Sequence, residues 1–500
     1  MQGGAAPIPI GRSNARNVSG TSRTILPPIL SAIFALLIAA LWLWIQWCRV
    51  PATSWNDVRL VPVFMAAAGE PVYTLPGHGV ITTWMYGPVP LWLWAPAALA
   101  TGAIQAVLAA GMLNIAYSLL AIGATCLLWP SEGADRIDRT FAIALTCLVW
   151  PEATFRFLQS DNLIVCLGLS ANLILIRASQ NTLWRWAAGL AMGAALGCKP
   201  TAIGILIGQL LWLAIAVSRP QAWSHLGRTL TCGTMLAALA GWQFGWRELW
   251  FGAFTVPSKL PWADSLVGRL FEIGPVLTAQ FLLPLPLVIF AWRKGLLGKC
   301  RLLLPVLSWS SSLPFGIAGV LTVGGSINNL HGFQILAPTL LVCYIVQSRR
   351  YWPHAATVAG LLAAAALYGR IQASDHVPVR PAIGRMLATE AIARENRQRI
   401  WMPWAPLVTY FSDGRFYHAE DGIYVRFITG HPVSSPQARA HVPRDMSCIL
   451  FPGGNGDWGV AEKLAAPGAV TRLTGGWKIV QWPDENTPHN RALDSPSSRP

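Results

Sequence analysis

The 23 residues from Leu26 to Cys48 carry no charged side chain. As a helix, that length rises about 34 Å, which exceeds the roughly 30 Å of hydrocarbon in a bilayer. Backbone polar groups inside a bilayer must be satisfied within the segment, so such a run crosses as a helix. It is too long for a signal-peptide core and no A-x-A-like cleavage site follows, so it is expected to be retained as a first span. Further apolar runs lie near 104–129, 139–151, 162–177, 184–198, 200–218, 229–245, 276–292, 302–323, 333–347 and 354–369. Charged residues are 12% of the chain against roughly 25% in an ordinary soluble domain. With 53% hydrophobic residues and a mean hydropathy of +0.44, this excludes a disordered chain, a coiled coil and a plain cytosolic enzyme. A polytopic, all-α membrane protein remains. The nine Cys form no disulfide framework, because eight sit in or beside apolar stretches and Cys448 alone lies in a polar region.

The net charge of +15 is explained by its distribution. Clusters from Arg12 to Arg23, at Arg136/Arg139, Arg177/Arg185 and Arg219/Arg228, from Arg293 to Arg301 and at Arg349/Arg350 hold 15 cations against three anions. The alternating loops hold seven cations and seven anions. This is a positive-inside pattern, which sets orientation and gives no ground for a nucleic-acid partner. The stretch from Tyr86 to Ala100 is apolar but interrupted by Pro88, Pro90 and Pro96. Read as a helix lying on or dipping into the outer face, it leaves every basic cluster on the cytoplasmic side. The expectation is eleven spans, with the N-terminus inside and the C-terminus outside. No Asp, Glu, Lys or Arg then falls in the middle of a span.

Residues 1–25 read as a disordered cytoplasmic tail, 26–370 as the transmembrane domain and 49–103 as its first outer loop. From about Arg370 the apolar runs shorten and turn signals appear at Ser412-Asp413-Gly414, Glu420-Asp421-Gly422 and Pro452-Gly453-Gly454. Residues 383–399 pattern as an amphipathic helix, and Ile423 to Ile428 alternates like a strand. Residues 371–485 are therefore expected to form an outer-side α/β domain, followed by a disordered tail over 486–500. No repeat of 20–50 residues is evident.

The residues suited to chemistry gather in the outer loops. The first carries W-N-D-V-R (Trp55 to Arg59), G-E-P-V-Y (Gly69 to Tyr73) and H-G-V-I-T-T-W-M-Y-G-P-V-P-L (His78 to Leu91). Gln159-Ser160-Asp161-Asn162 opens a span, Gly189 to Thr201 reads GLAMGAALGCKPT, and Asn328 to Pro338 reads NNLHGFQILAP. In this order the motifs resemble those of the membrane-embedded glycosyltransferases of the GT-C class, including mannosyl- and arabinosyltransferases. The resemblance covers most of residues 26–370. It implies a GT-C-like helical bundle in the cytoplasmic membrane, a polyprenyl-phosphate-sugar donor, a lipid, glycan or protein acceptor, and inversion at the anomeric carbon. Some members of the class need a divalent metal, and the sequence does not decide that point.

The residues themselves suggest how such a transfer proceeds. A carboxylate must take the proton of the attacking hydroxyl, and Asp57, just past the first span, is the expected base. Partial burial there would raise its pKa. Cations must bind the donor phosphate and stabilise the leaving polyprenyl phosphate; Lys199, Arg59, Arg156 and His331 are the candidates. Asp161 and Glu70 are candidates for binding the acceptor or a metal. More ordinary roles compete: Asp57 as a helix cap or surface ion-pair partner, Lys199 snorkelling at a helix end, Asp161 as an N-cap, His331 as a loop histidine and Glu70 facing water. Tyr417-His418-Ala419-Glu420-Asp421 reads as a solvated loop rather than a metal site. Gly453-Gly454-Asn455-Gly456 lacks the Lys-Ser/Thr of a phosphate loop. A transporter or flippase, or a non-catalytic envelope-assembly protein, is the rival reading. Transporters, however, favour paired broken helices and midplane charges.

Overall fold

The computed structural model describes residues 26–82, 84–128, 136–150, 152–177, 181–282, 303–325, 327–330, 379–452, 458–460, 470–474 and 477–481. His331, the expected spans at 333–347 and 354–369, both tails and the Gly453 to Gly456 segment lie outside the described residues.

The apolar runs form long helices: α1 (Leu26–Cys48), α4 (Ala103–Leu128), α5 (Arg136–Val149), α7 (Ser160–Arg177), α8 (Thr182–Cys198), α9 (Ile203–Ala216), α10 (Arg219–Phe244), α12 (Leu266–Leu282) and α13 (Leu303–Val320). Shorter helices punctuate them: α2 (Ser54–Ala67), α3 (Val89–Trp94), α6 (Glu152–Arg156) and α11 (Trp246–Trp250). Four stretches of the described residues are long and apolar enough to cross a membrane by themselves: Ala32–Ala52, Ala103–Leu127, Ser160–Arg177 and Leu303–Val320. On α1 the exposed residues Leu30, Phe34, Leu37, Leu41 and Trp44 form one helical stripe, which suits contact with lipid. Exposed Trp184, Trp186 and Trp223 sit near the starts of α8 and α10, and Trp242, Trp246 and Trp250 near the far end of α10. Trp223 and Trp242 are about 28 Å apart along the helix axis, close to the hydrocarbon thickness that aromatic belts bracket.

Hydrocarbon gives no hydrophobic drive for helices to associate, so close backbone approach must hold the bundle together. The glycines of GLAMGAALGCKPT provide it. A Cβ on Gly193 would lie 2.8 Å from the Gly233 nitrogen of α10, and one on Gly189 would lie 2.9 Å from Arg228 Cβ. Gly204 and Gly208 of α9 meet the backbone of Ser308 to Ser312 on α13 in the same way. Buried amides join the helices as well. Gln209 Nε2 donates to Asn172 Oδ1 at 2.8 Å, Asn172 Nδ2 donates to Ser308 Oγ at 3.2 Å, and Gln209 Oε1 pairs with His225 Nε2 at 2.9 Å.

Val89–Trp94 and the 3₁₀ turn Ala95–Leu99 form the Pro-rich segment expected to lie on the surface. It packs onto the end of α8, where the Gly87 N–H donates to the Cys198 carbonyl at 3.1 Å. A Cβ on Gly87 would collide with the Gly197 carbonyl. Gly87→Ala is therefore expected to cost about 1–3 kcal/mol and to lower the thermal midpoint of the purified protein. An unchanged midpoint would show that the α3–α8 contact is loose.

The C-terminal residues form α14 (Val379–Glu395), β1 (Ile400–Trp401), α15 (Pro406–Asp413), α16 (Glu420–Ile428), α17 (Ser435–Ala440), β2 (Cys448–Pro452), β3 (Val470–Thr474) and β4 (Trp477–Gln481). The sheet order is β1-β2-β4-β3, with β1 parallel to β2 and the other pairs antiparallel. One expectation is corrected here: residues 423–428 are helical, not a strand. Glu420 and Asp421 in the first turn and Arg426 in the last complement the helix dipole, and these charges outweigh an accidental two-residue alternation.

Candidate active site

The segment Trp55 to Arg59, expected as loop, is the start of α2. Thr53 is its N-cap, accepting from the Trp55 N–H at 3.3 Å. Helical geometry then separates the functional side chains. Trp55 and Arg59 are one turn apart and line a cavity of about 700 Å³. Asp57 is rotated about 200° from each and points away from it.

Four of the sequence motifs converge on Lys199 at the end of α8. Its Nζ lies 3.1 Å from Asp161 Oδ1 in the first turn of α7 and donates to Asn329 Oδ1 of the late loop. The ring of Tyr86 is 5.9 Å from the ammonium. Lys199, Tyr86, Asn329 and Gln159 all line the cavity, together with Arg59. The Arg59 guanidinium stacks 5.3 Å from the Trp55 ring and donates to the Leu158 carbonyl at 3.0 Å. Lys199 and Arg59 thus face the same space as a third cation, Arg269, which is paired with Glu272 at 2.8 Å, and all are set among the apolar residues Ala253, Leu260, Ile273 and Val320. Such a space suits a phosphate carried on an apolar chain.

Buried amides that the sequence reading passed over hold this corner rigid. Asn56 Nδ2 donates to the Val50 and Arg156 carbonyls at 2.8 Å each, and its Oδ1 accepts from the Leu158 N–H at 2.8 Å. Asn114 Nδ2 donates to the carbonyls of Thr154, Phe155 and Phe157, and Asn162 Nδ2 donates to Asn114 Oδ1 at 3.2 Å. The signal available was an Asn inside an apolar span, which must find partners there. Asn114→Leu strips donors from buried carbonyls and is expected to cost about 1–3 kcal/mol. The loss is read as a lower thermal midpoint, and a midpoint equal to wild type would refute the bracing role.

The other expected site residues are placed elsewhere. Arg156 ends α6 and does not itself line the cavity; its guanidinium lies 5.0 Å from the ring of Phe157, which does. Glu70 is exposed just past α2. Asp57 is buried against the C-terminal residues, and its Oδ1 accepts from the Leu407 N–H at the start of α15 at 2.7 Å. Ala405, the N-cap residue of α15, offers no side chain for that purpose, so Asp57 caps the helix from a distant part of the chain. Among the described residues Asp57 Oδ2 is buried without a hydrogen-bond partner. Burial pushes the Asp57 carboxyl up to about 8.

The C-terminal residues close the other wall. The Ala419 N–H donates to the Ile81 carbonyl at 2.9 Å, and the Ile81 N–H donates to His418 Nδ1 at 2.8 Å. His418 Nε2 pairs with the Gln437 carbonyl at 3.1 Å, so both ring nitrogens are engaged by backbone groups. Arg426 donates to the Thr74 carbonyl and stacks 4.4 Å from the Phe251 ring. Docked in this way, α16 turns Asp421, Tyr424, Val425 and Ile428 into the cavity. Among the described residues no three metal-ligating side chains gather, and a cation beside Asp161 would face the Lys199 ammonium. No step is routed through a metal.

A membrane-embedded helical bundle, capped by a C-terminal α/β unit, with cations and carboxylates around a cavity at their junction, has the fold of the GT-C glycosyltransferases. The solved structures it resembles include ArnT from Cupriavidus metallidurans. Bound to undecaprenyl phosphate, ArnT superposes with a TM-score of 0.58 at 12% identity, covering 91% of this chain and 98% of that one. Apo ArnT gives 0.57 at 10% identity, covering 90% and 98%. The Archaeoglobus fulgidus oligosaccharyltransferase, solved with zinc and sulfate, reaches 0.44 at 12% identity over 83% of this chain and 67% of that one, too little to carry an argument. At these identities the likeness is one of fold. No protein-family model matches the chain, and no curated protein matches it in sequence.

Proposed function

We propose that the protein transfers a sugar from a polyprenyl-phosphate donor to an acceptor hydroxyl on the outer face of the cytoplasmic membrane. The observation that carries this reading is the convergence of Lys199 and Arg59 on one cavity with apolar walls, in a fold shared with a protein crystallised with undecaprenyl phosphate. Lys199 and Arg59 hold the donor phosphate and stabilise the charge that grows on it as the sugar leaves. Asp161 and Asn329 hold the Lys199 ammonium in place. The acceptor hydroxyl attacks the anomeric carbon from the side opposite the phosphate, with inversion, and passes its proton to a carboxylate. Asp57, the base expected from sequence, stands behind the wall as the cap of α15; Asp421 stands on the wall itself.

The test is mass spectrometry of envelope glycans and lipids from a deletion strain. The transferase reading expects one sugar to be missing, restored by wild type, and still missing with Lys199→Ala at equal protein levels. A sugar restored fully by Lys199→Ala would sink the phosphate assignment. An intact glycan profile in the deletion would favour transport or assembly instead.

A further inference from the structure

The mechanism above places the phosphate and leaves the sugar without a seat. We infer that the cavity-facing side of α16, with Trp55 and Trp458, is a sugar-ring subsite in which Asp421 accepts a hydrogen bond from a sugar hydroxyl. This rests on the transferase reading and extends it to the other half of the cavity.

Three observations carry it. First, Asp421, Tyr424, Val425 and Ile428 stand at helical spacings of three, four and seven residues, and all four line the cavity. An acidic residue at the head of an otherwise apolar and aromatic face matches an amphipathic ligand. Second, the aromatic rings form a fixed platform. Tyr424 lies 4.7 Å from Trp458, and Trp55 lies 6.0 Å from Trp458. Trp404 backs them, 4.9 Å from Trp55 and 5.1 Å from Trp458. Trp404 is buried, and its Nε1 donates to Glu420 Oε2 at 2.7 Å, whereas Trp458 keeps 37% of its surface open. A large ring left open inside a cavity, on a rigid backing, suits a flat partner with an apolar face, and a pyranose ring has one. Third, the charges on the cavity wall are unevenly placed: Arg59 and Lys199 stand on the side of α2 and α8, Arg269 is paired with Glu272 at 2.8 Å on α12, and Asp421 stands among aromatic rings on the side of α16. A phosphate has no reason to meet Asp421, but a hydroxyl does, because it can donate to a carboxylate in a strong charge-assisted bond. The ring belongs either to the acceptor or to the donor's own sugar, and the experiment separates the two.

The experiment uses the full-length protein in nanodiscs. Saturation-transfer NMR reads binding of methyl glucoside, galactoside, mannoside and arabinoside, and undecaprenyl phosphate binding is measured on the same samples. Wild type should give saturation transfer to at least one glycoside. Asp421→Asn and Trp458→Ala should each weaken that signal about fivefold or more and leave undecaprenyl phosphate bound as before. Lys199→Ala should do the reverse. Trp458 is partly exposed, so its replacement keeps the test open if Asp421→Asn disturbs folding. Added undecaprenyl-phosphate glucose displaces the glycoside if the wall seats the donor's sugar, and leaves it in place if the wall seats the acceptor. Undecaprenyl phosphate binding without any glycoside signal, or a glycoside signal that neither wall variant weakens, overturns the subsite and leaves the transferase reading intact. Binding of neither probe overturns both.

Discussion

Lys199→Ala is expected to reduce sugar transfer by about 10²–10³-fold, the usual loss when one preorganised donor is removed from a developing oxyanion. The ammonium is held between Asp161 and Asn329 before any substrate arrives, so its charge needs no reorganisation when the phosphate begins to leave. The effect should appear in kcat as well as in donor KM, because the phosphate is more negative in the transition state than in the donor. Asp161 is itself buried, and Lys199→Ala removes its salt bridge, so part of any loss comes from stability. The double variant Lys199→Ala/Asp161→Asn separates the two. It should recover the thermal midpoint and stay inactive. If it recovers transfer as well, Lys199 acts by neutralising Asp161 and not on the donor.

The second large effect concerns Asp57, where two roles predict opposite results. As the cap of α15, Asp57 needs an acceptor oxygen, which asparagine also provides. Asp57→Asn should therefore retain transfer within a few-fold, while Asp57→Ala loses the cap and about 0.5–2 kcal/mol of stability. As a general base it needs an ionisable carboxyl, and Asp57→Asn would be inactive though folded. The geometry favours the cap. The pH dependence offers an independent check. In the folded protein burial holds the carboxyl neutral until pH approaches about 8, whereas in the unfolded chain it ionises near 3.9. The folded state thus binds the extra proton between those values. Its contribution to stability is complete below about pH 4 and is lost as pH rises through 8. Wild type should lose stability steadily between about pH 4 and pH 8, and Asp57→Asn should lose less. Equal losses in both would show that the carboxyl is hydrated and ionised in the folded protein.

Much of the fold was legible because the bilayer is a severe solvent. Leu26 to Cys48 and the later apolar runs have no other stable conformation in it, and their boundaries in the structure fall within a few residues of the sequence reading for α1, α4, α7 and α8. The three glycines of GLAMGAALGCKPT signal close helix contact by themselves, since they recur every four residues on one face. Residues 423–428 were misread because a short amphipathic helix on a soluble-type domain satisfies either period. The structure resolves the choice through Glu420 and Asp421 at its head and Trp404 beneath it.

The sequence by itself determined the membrane class and the order of the motifs, because the bilayer admits few conformations for long apolar runs. The facing of each side chain and its partners were decided only by the tertiary structure. Asp57 and Arg59 are two positions apart, yet they face opposite ways once Thr53 starts a helix there. Asp421 enters the cavity because a segment more than 300 residues downstream docks on Ile81 and Thr74. Local propensity acts over a few residues. The cavity is made by contacts such as that of Arg426 with Thr74, 352 positions apart, and those exist only after the chain has folded.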